Sequence, residues 1–155
     1  MEFPKKILLV QLFSNGDCLY ATAIARQIKN DYPGYHLTWA IAGFCKSIIA
    51  NNPFVDEIIE VNSVPKNDEG AFRKFRKEIY QRKESGEFNE VFITHIMGTN
   101  QANYDGCIRS TIFRGYSKPV TVSVRPVLRL SAAEINKAKD FSLQHNLAEY
   151  KHVIL

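Results

Sequence analysis

Long apolar runs are missing from this 155-residue sequence: the stretch Ile7-Leu8-Leu9-Val10, continued by Leu12 and Phe13, falls far short of the ~20 residues of a membrane span. It also reads poorly as a signal peptide, because Gln11, Ser14, Asn15 and Asp17 interrupt it before any small-residue cleavage site. The expected location is therefore cytoplasmic. Cysteine is scarce as well, and Cys18, Cys45 and Cys107 are too widely and irregularly spaced for a disulfide framework or a zinc site. No metal is expected, and reduced thiols are. Twenty Lys and Arg against 16 Asp and Glu leave a net charge of only +4, too small an excess to nominate nucleic acid as a partner.

What is present is enough for a self-supporting core, since a chain of about 150 residues buries about 70% of its unfolded surface without help from disulfides or metal. Short apolar runs alternate with segments of helical period, which predicts an α/β, Rossmann-like parallel sheet flanked by helices. Strands are expected at 7–12, 36–42, 57–61, 88–96 and 120–124. The first is apolar throughout except for Gln11, as a strand covered on both faces should be. Helices are expected from Cys18 to Asp31, stopped by Tyr32-Pro33-Gly34, briefly over 43–51, from Asp68 to Glu84 and briefly over 106–114. After Pro126, Ser131-Ala132-Ala133-Glu134 forms a capping box that should open a helix running to about His145. Lys151 to Leu155 then reads as the start of a further strand that looks cut off. The expected division is a Rossmann-like domain over 1–126, followed over 127–155 by a linker helix and the first strand of a truncated second domain.

In open parallel sheets, ligands bind beyond the carboxyl ends of the strands, which draws attention to the loops after Leu12, Ala42, Val61, Ile96 and Val124. The first loop has only Gly16 where a dinucleotide site needs G-x-G-x-x-G, and the second strand ends in Ala40-Ile41-Ala42-Gly43 without a ribose-binding acid. A phosphate-binding P-loop and the acidic pair of a receiver domain are absent too. What the loop offers is Asp17. At the start of a helix it either charges or caps that N-terminus, or serves as a general base for a hydroxyl nucleophile. Under both readings the helix dipole should keep its carboxyl ionised.

The run Lys6-Ile7-Leu8-Leu9-Val10-Gln11-Leu12-Phe13-Ser14-Asn15-Gly16-Asp17-Cys18-Leu19, followed by Ala21-Thr22-Ala23-Ile24 and Tyr32-Pro33-Gly34, resembles the opening of the ADP-heptose:lipopolysaccharide heptosyltransferases, glycosyltransferase family 9. His36-Leu37-Thr38-Trp39 and Asn52-Pro53-Phe54-Val55-Asp56-Glu57-Ile58-Ile59 resemble the family's second strand and its entry to the third. The likeness is good over 5–61, loose over 88–155 and slight between them. It implies the N-terminal half of a GT-B enzyme, which binds a glycolipid acceptor while a C-terminal half, missing from this chain, binds a nucleotide-sugar donor such as ADP-heptose. That donor is a co-substrate, and no other cofactor is implied. Asp17 matches the family's catalytic base for an inverting, metal-independent transfer, and because the donor-binding half is missing this chain alone is expected to be inactive. The loop departs from the usual S-S-x-G-D by carrying Phe13 and Asn15 around Ser14.

Ser14, Asn15 and Gly16 are candidate substrate contacts beside Asp17. His95, Asn100 and Gln101, in the polar stretch after the fourth strand, are candidates from position alone, with a solvated connector as the bland alternative. Arg109 and Arg114 have the chemistry to clamp a phosphate, or are ordinary surface arginines. The basic helix over 73–83 either rests on the anionic face of the inner membrane or is a solvated outer face. Two other functions compete: a non-catalytic Rossmann-like binding module, and a nucleotide-binding regulator.

Overall fold

Successive residues of a strand face opposite ways, so an unbroken apolar run can be buried only if both sheet faces are covered. In the computed structural model, which describes residues 5–147, this is how the first strand, β1 (Lys6–Val10), is used. Ile7 and Leu9 join one core cluster, and Leu8 and Val10 join the other. Three more strands follow, β2 (His36–Ile41), β3 (Glu57–Glu60) and β4 (Glu90–Ile93), all parallel and in the spatial order β3-β2-β1-β4. The register sets Leu9 between Trp39 of β2 and Phe92 of β4.

Helix α1 (Asn15–Asp31) covers the Ile7/Leu9 face with Ala21, Ile24, Ala25 and Ile28. Its small alanines allow close approach. The short α3 (Ile108–Arg114) adds Ile112, with Tyr116 just beyond it, to the same cluster. The opposite face is covered by α2 (Glu69–Glu84) through Phe72 and Ile79, with Val61, Val64 and Phe88 around them. Asp68 caps α2 by accepting a hydrogen bond from the Ala71 N–H at 2.8 Å. Each fully buried aliphatic or aromatic side chain stabilises the fold by roughly 1.5–3 kcal/mol relative to exposure. The last described helix, α4 (Ala132–Gln144), has the expected capping box at Ser131 and Glu134 and buries none of its residues.

Three expectations need correction. Helix α1 begins at Asn15, not Cys18, with Ser14 in extended geometry at its N-cap. The segment over 43–51 forms only a 3-10 helix, Gly43–Ile48. No fifth strand forms at 120–124 among the described residues. The backbone there is irregular, with a bend at Val122, and Thr121 N–H and Val122 N–H donate to Gln27 Oε1 at 2.7 and 3.0 Å. Farther on, Val127 N–H donates to Thr22 Oγ1 at 2.8 Å. Side chains of α1 satisfy the groups that a neighbouring strand would otherwise take. The strand expected over 151–155 lies outside the described residues.

Candidate functional site

The sheet grows from β1 towards β2 and β3 on one side and towards β4 on the other, so its topological switch point lies between β1 and β4. Beyond the carboxyl ends of those two strands is a cavity of about 250 Å³, lined by Phe13, Ser14, Asp17, Lys66, Asn67, His95, Ile96, Met97, Gln101, Tyr104 and Ile108. Four residues expected from the sequence meet there: Ser14, Asp17, His95 and Gln101.

Asp17 lies in the first turn of α1 and is half-buried on the cavity wall. Burial raises its pKa above the ordinary carboxylate value, and the Ser14 backbone hydrogen bond and the charge of Lys66 only partly counteract that rise. The expectation of a carboxyl held low is therefore overturned, because desolvation outweighs the Ser14 hydrogen bond and the Lys66 charge. A carboxyl shifted upwards is a stronger proton acceptor when ionised. Cys18, next to it, is fully buried; burial raises its thiol pKa, and it is a packing residue.

His95 is only 6% exposed, and its ring lies between Phe13 and Phe72 with centroids at 5.3 and 5.2 Å. Burial pulls its pKa down to about 4, so the imidazole is neutral at pH 7. Its Nδ1 lies 3.3 Å from Gln11 Nε2, and its Nε2 has no hydrogen-bond partner among the described residues. The helix α3 holds this loop in place at Gly115, where a Cβ would meet the Thr94 Cα at 2.7 Å and the Ile93 carbonyl oxygen at 2.8 Å. Only glycine permits so close an approach.

The remaining candidates are placed elsewhere. Asn15 and Gly16 are exposed and do not line the cavity. Asn100 is buried and donates to the Thr94 and Thr111 carbonyl oxygens at 2.7 and 3.2 Å, so its amide braces the loop against α3. The Arg109 guanidinium lies over the Phe113 ring at 5.6 Å, away from the cavity lining. Arg114 is engaged with Asp105 at 2.5 Å and with the Asn103 carbonyl oxygen at 2.8 Å.

Lys66, Asn67, Tyr104 and Ile108 were not anticipated. Lys66 and Asn67 follow β3, in a loop that the strand-end rule singles out but that carries no motif. Tyr104 is a lone aromatic in a polar stretch. The signal at Gln11 was legible: a single amide in a strand buried on both faces must find partners. Among the described residues, no group of three or more His, Cys, Asp and Glu is arranged to hold a metal, and no helix is long and apolar enough to cross a membrane.

No protein-family model and no curated protein matches the chain. Among solved structures, a family 9 glycosyl transferase from Veillonella parvula DSM 2008 superposes with a TM-score of 0.67 at 17% identity, covering 94% of this chain and 51% of that one. The chain shares its fold with half of that glycosyltransferase. It spans about half the length of the structure it matches. Two looser matches are E. coli ADP-heptose lps heptosyltransferase II (TM-score 0.44, 17% identity, 88% of this chain and 50% of that one) and E. coli heptosyltransferase WaaC with ADP (0.40, 21%, 57% and 27%).

Proposed function

We propose that this chain is the acceptor-binding half of a family 9-type glycosyltransferase of GT-B architecture, with Asp17 as the general base. In this reading, residues 1–126 bind a sugar acceptor of the lipopolysaccharide type. Residues 127–155 lead into a donor-binding half that supplies a nucleotide-activated heptose or related sugar. The Asp17 carboxylate removes the proton from an acceptor hydroxyl as that oxygen attacks the anomeric carbon of the donor. The nucleoside diphosphate leaves from the opposite face, which inverts the configuration. Ser14 and Gln101 border the acceptor, and Lys66 holds a positive charge close to the base. Arg73, Lys74 and Lys77, exposed along α2, would meet the anionic inner leaflet that carries a glycolipid acceptor.

The observation that carries this reading is the half-buried Asp17 carboxylate, shifted upwards by desolvation, on a cavity at the switch point of the sheet. The fold shared with half of a family 9 glycosyl transferase supports it. The test is Asp17→Asn in a protein where this chain is joined to its donor-binding half. Transfer from the nucleotide sugar should fall by about 10²–10⁴-fold while thermal unfolding is unchanged. Normal turnover would leave Asp17 as a helix-terminus charge and the chain as a non-catalytic binding module.

A further inference from the structure

We propose that His95 carries its single proton on Nε2, that Gln11 and Thr94 fix this tautomer, and that the Nε2–H donates to an uncharged sugar hydroxyl in the Asp17 cavity. The proposal rests on the acceptor-site reading above and specifies what that site recognises.

The argument starts from Gln11, at the end of β1. Its amide nitrogen lies 2.5 Å from the Phe13 carbonyl oxygen and 3.3 Å from His95 Nδ1, while Thr94 Oγ1 lies 3.0 Å from its Oε1. Reversing the amide would press two oxygen acceptors together at Phe13, so the orientation is fixed by its surroundings. The NH₂ group has two protons, one for the Phe13 carbonyl and one for His95. With the Phe13 carbonyl, which also lies within reach of the His95 ring, taken up by Gln11 at 2.5 Å, Nδ1 is assigned as the acceptor and the ring proton to Nε2. Thr94 completes the chain by donating its hydroxyl proton to Gln11 Oε1.

The outcome is a buried N–H donor with no partner among the described residues, on a residue that lines the cavity. Phe13 and Phe72 flank the ring and block its rotation away. A donor in this position costs stability until a ligand atom accepts from it. Anionic groups select cationic donors, and a neutral imidazole in an apolar sleeve is a poor one. A hydroxyl suits the site better, because its oxygen accepts from Nε2 and its own proton remains free for a carboxylate such as Asp17, which lines the same cavity.

The test is ¹⁵N NMR of the histidine ring in this chain, first free and then titrated with methyl glycosides and, separately, with inorganic phosphate. Nε2 should be protonated and Nδ1 unprotonated in the free protein. Thr94→Val should produce a mixture of tautomers, and Thr94→Ser should restore the single one. The Nε2 resonance should move with the glycoside and not with phosphate, and His95→Phe, which keeps the aromatic stack, should weaken glycoside binding by about tenfold. A proton on Nδ1 in the wild-type chain overturns the proposal without touching the assignment of Asp17. So does an equal or larger response to phosphate, or no response to any methyl glycoside. Loss of activity in Asp17→Asn with a silent His95 ring would sink this inference and leave the glycosyltransferase reading intact.

Discussion

Five of the six residues of β2 are buried, whereas none of the thirteen residues of α4 is. Strand β2 exists because both its faces are covered, and nothing in its local sequence would hold it extended in water. Helix α4 is specified almost entirely from within, by a serine that caps the Glu134 N–H and a glutamate that reaches back to the Ser131 N–H at 2.7 Å. Its apolar residues Ile135, Phe141 and Leu143 remain exposed. The contrast teaches that secondary structure in this chain has two origins, tertiary burial in the sheet region and end-capping beyond residue 130. The two should respond differently to substitution.

The largest effect is expected in the sheet. Trp39 is fully buried, and its indole N–H donates to the Gln11 carbonyl oxygen at 3.1 Å, so Trp39→Ala should cost about 3–5 kcal/mol in urea unfolding. Next comes pH. The folded-state pKa of His95 is depressed to about 4 from an unfolded value near 6.5, so between these limits the unfolded chain binds a proton that the folded chain does not. Stability should therefore fall as pH drops from about 6.5 to about 4, by up to about 3 kcal/mol, and His95→Phe should flatten that part of the profile. Asp31 and Asp56, whose carboxyls are lowered against desolvation by their hydrogen-bond partners, lose their contribution only at still lower pH.

Gly115→Ala should cost about 1–3 kcal/mol, because the added methyl meets backbone atoms of the β4 end that cannot swing aside. The smallest effect belongs to α4: Ser131→Ala should weaken that helix by about 0.5–2 kcal/mol, read as faster amide exchange over 132–144, with the global unfolding midpoint unmoved. A shift of the global midpoint in that variant would show that the two regions unfold as one unit and would erase the distinction.

The sequence disclosed the α/β class, all four observed strands, α2, and the capping box of α4. These depend on period and on local chemistry, which one chain carries in full. The spurious strand at 120–124 shows the limit. Val120, Val122 and Val124 look like strand residues, but pairing is decided by which partner reaches the backbone first, and Gln27 of α1 does. Site residues divided in the same way. Asp17 was legible because a lone carboxylate after a buried strand is conspicuous, and His95 because of its position after another. Lys66 and Tyr104 join them only through the folding of loops that carry no motif. Asn100 looked like a ligand contact because polar loop residues usually face solvent, and burial against α3 gave it backbone carbonyls to serve instead.

The irregular run over 120–127 is bound to the body without a ladder. A strand in a sheet is held by several equivalent backbone bonds, so losing one leaves the register intact. Here a single side-chain oxygen, Gln27 Oε1, accepts from two successive amides. Gln27→Leu should therefore release both amides together and loosen the chain over 120–122, while Arg26 at the Ser123 carbonyl oxygen and Thr22 at the Val127 N–H still hold the way out of the sheet region towards α4 and every strand stays in place.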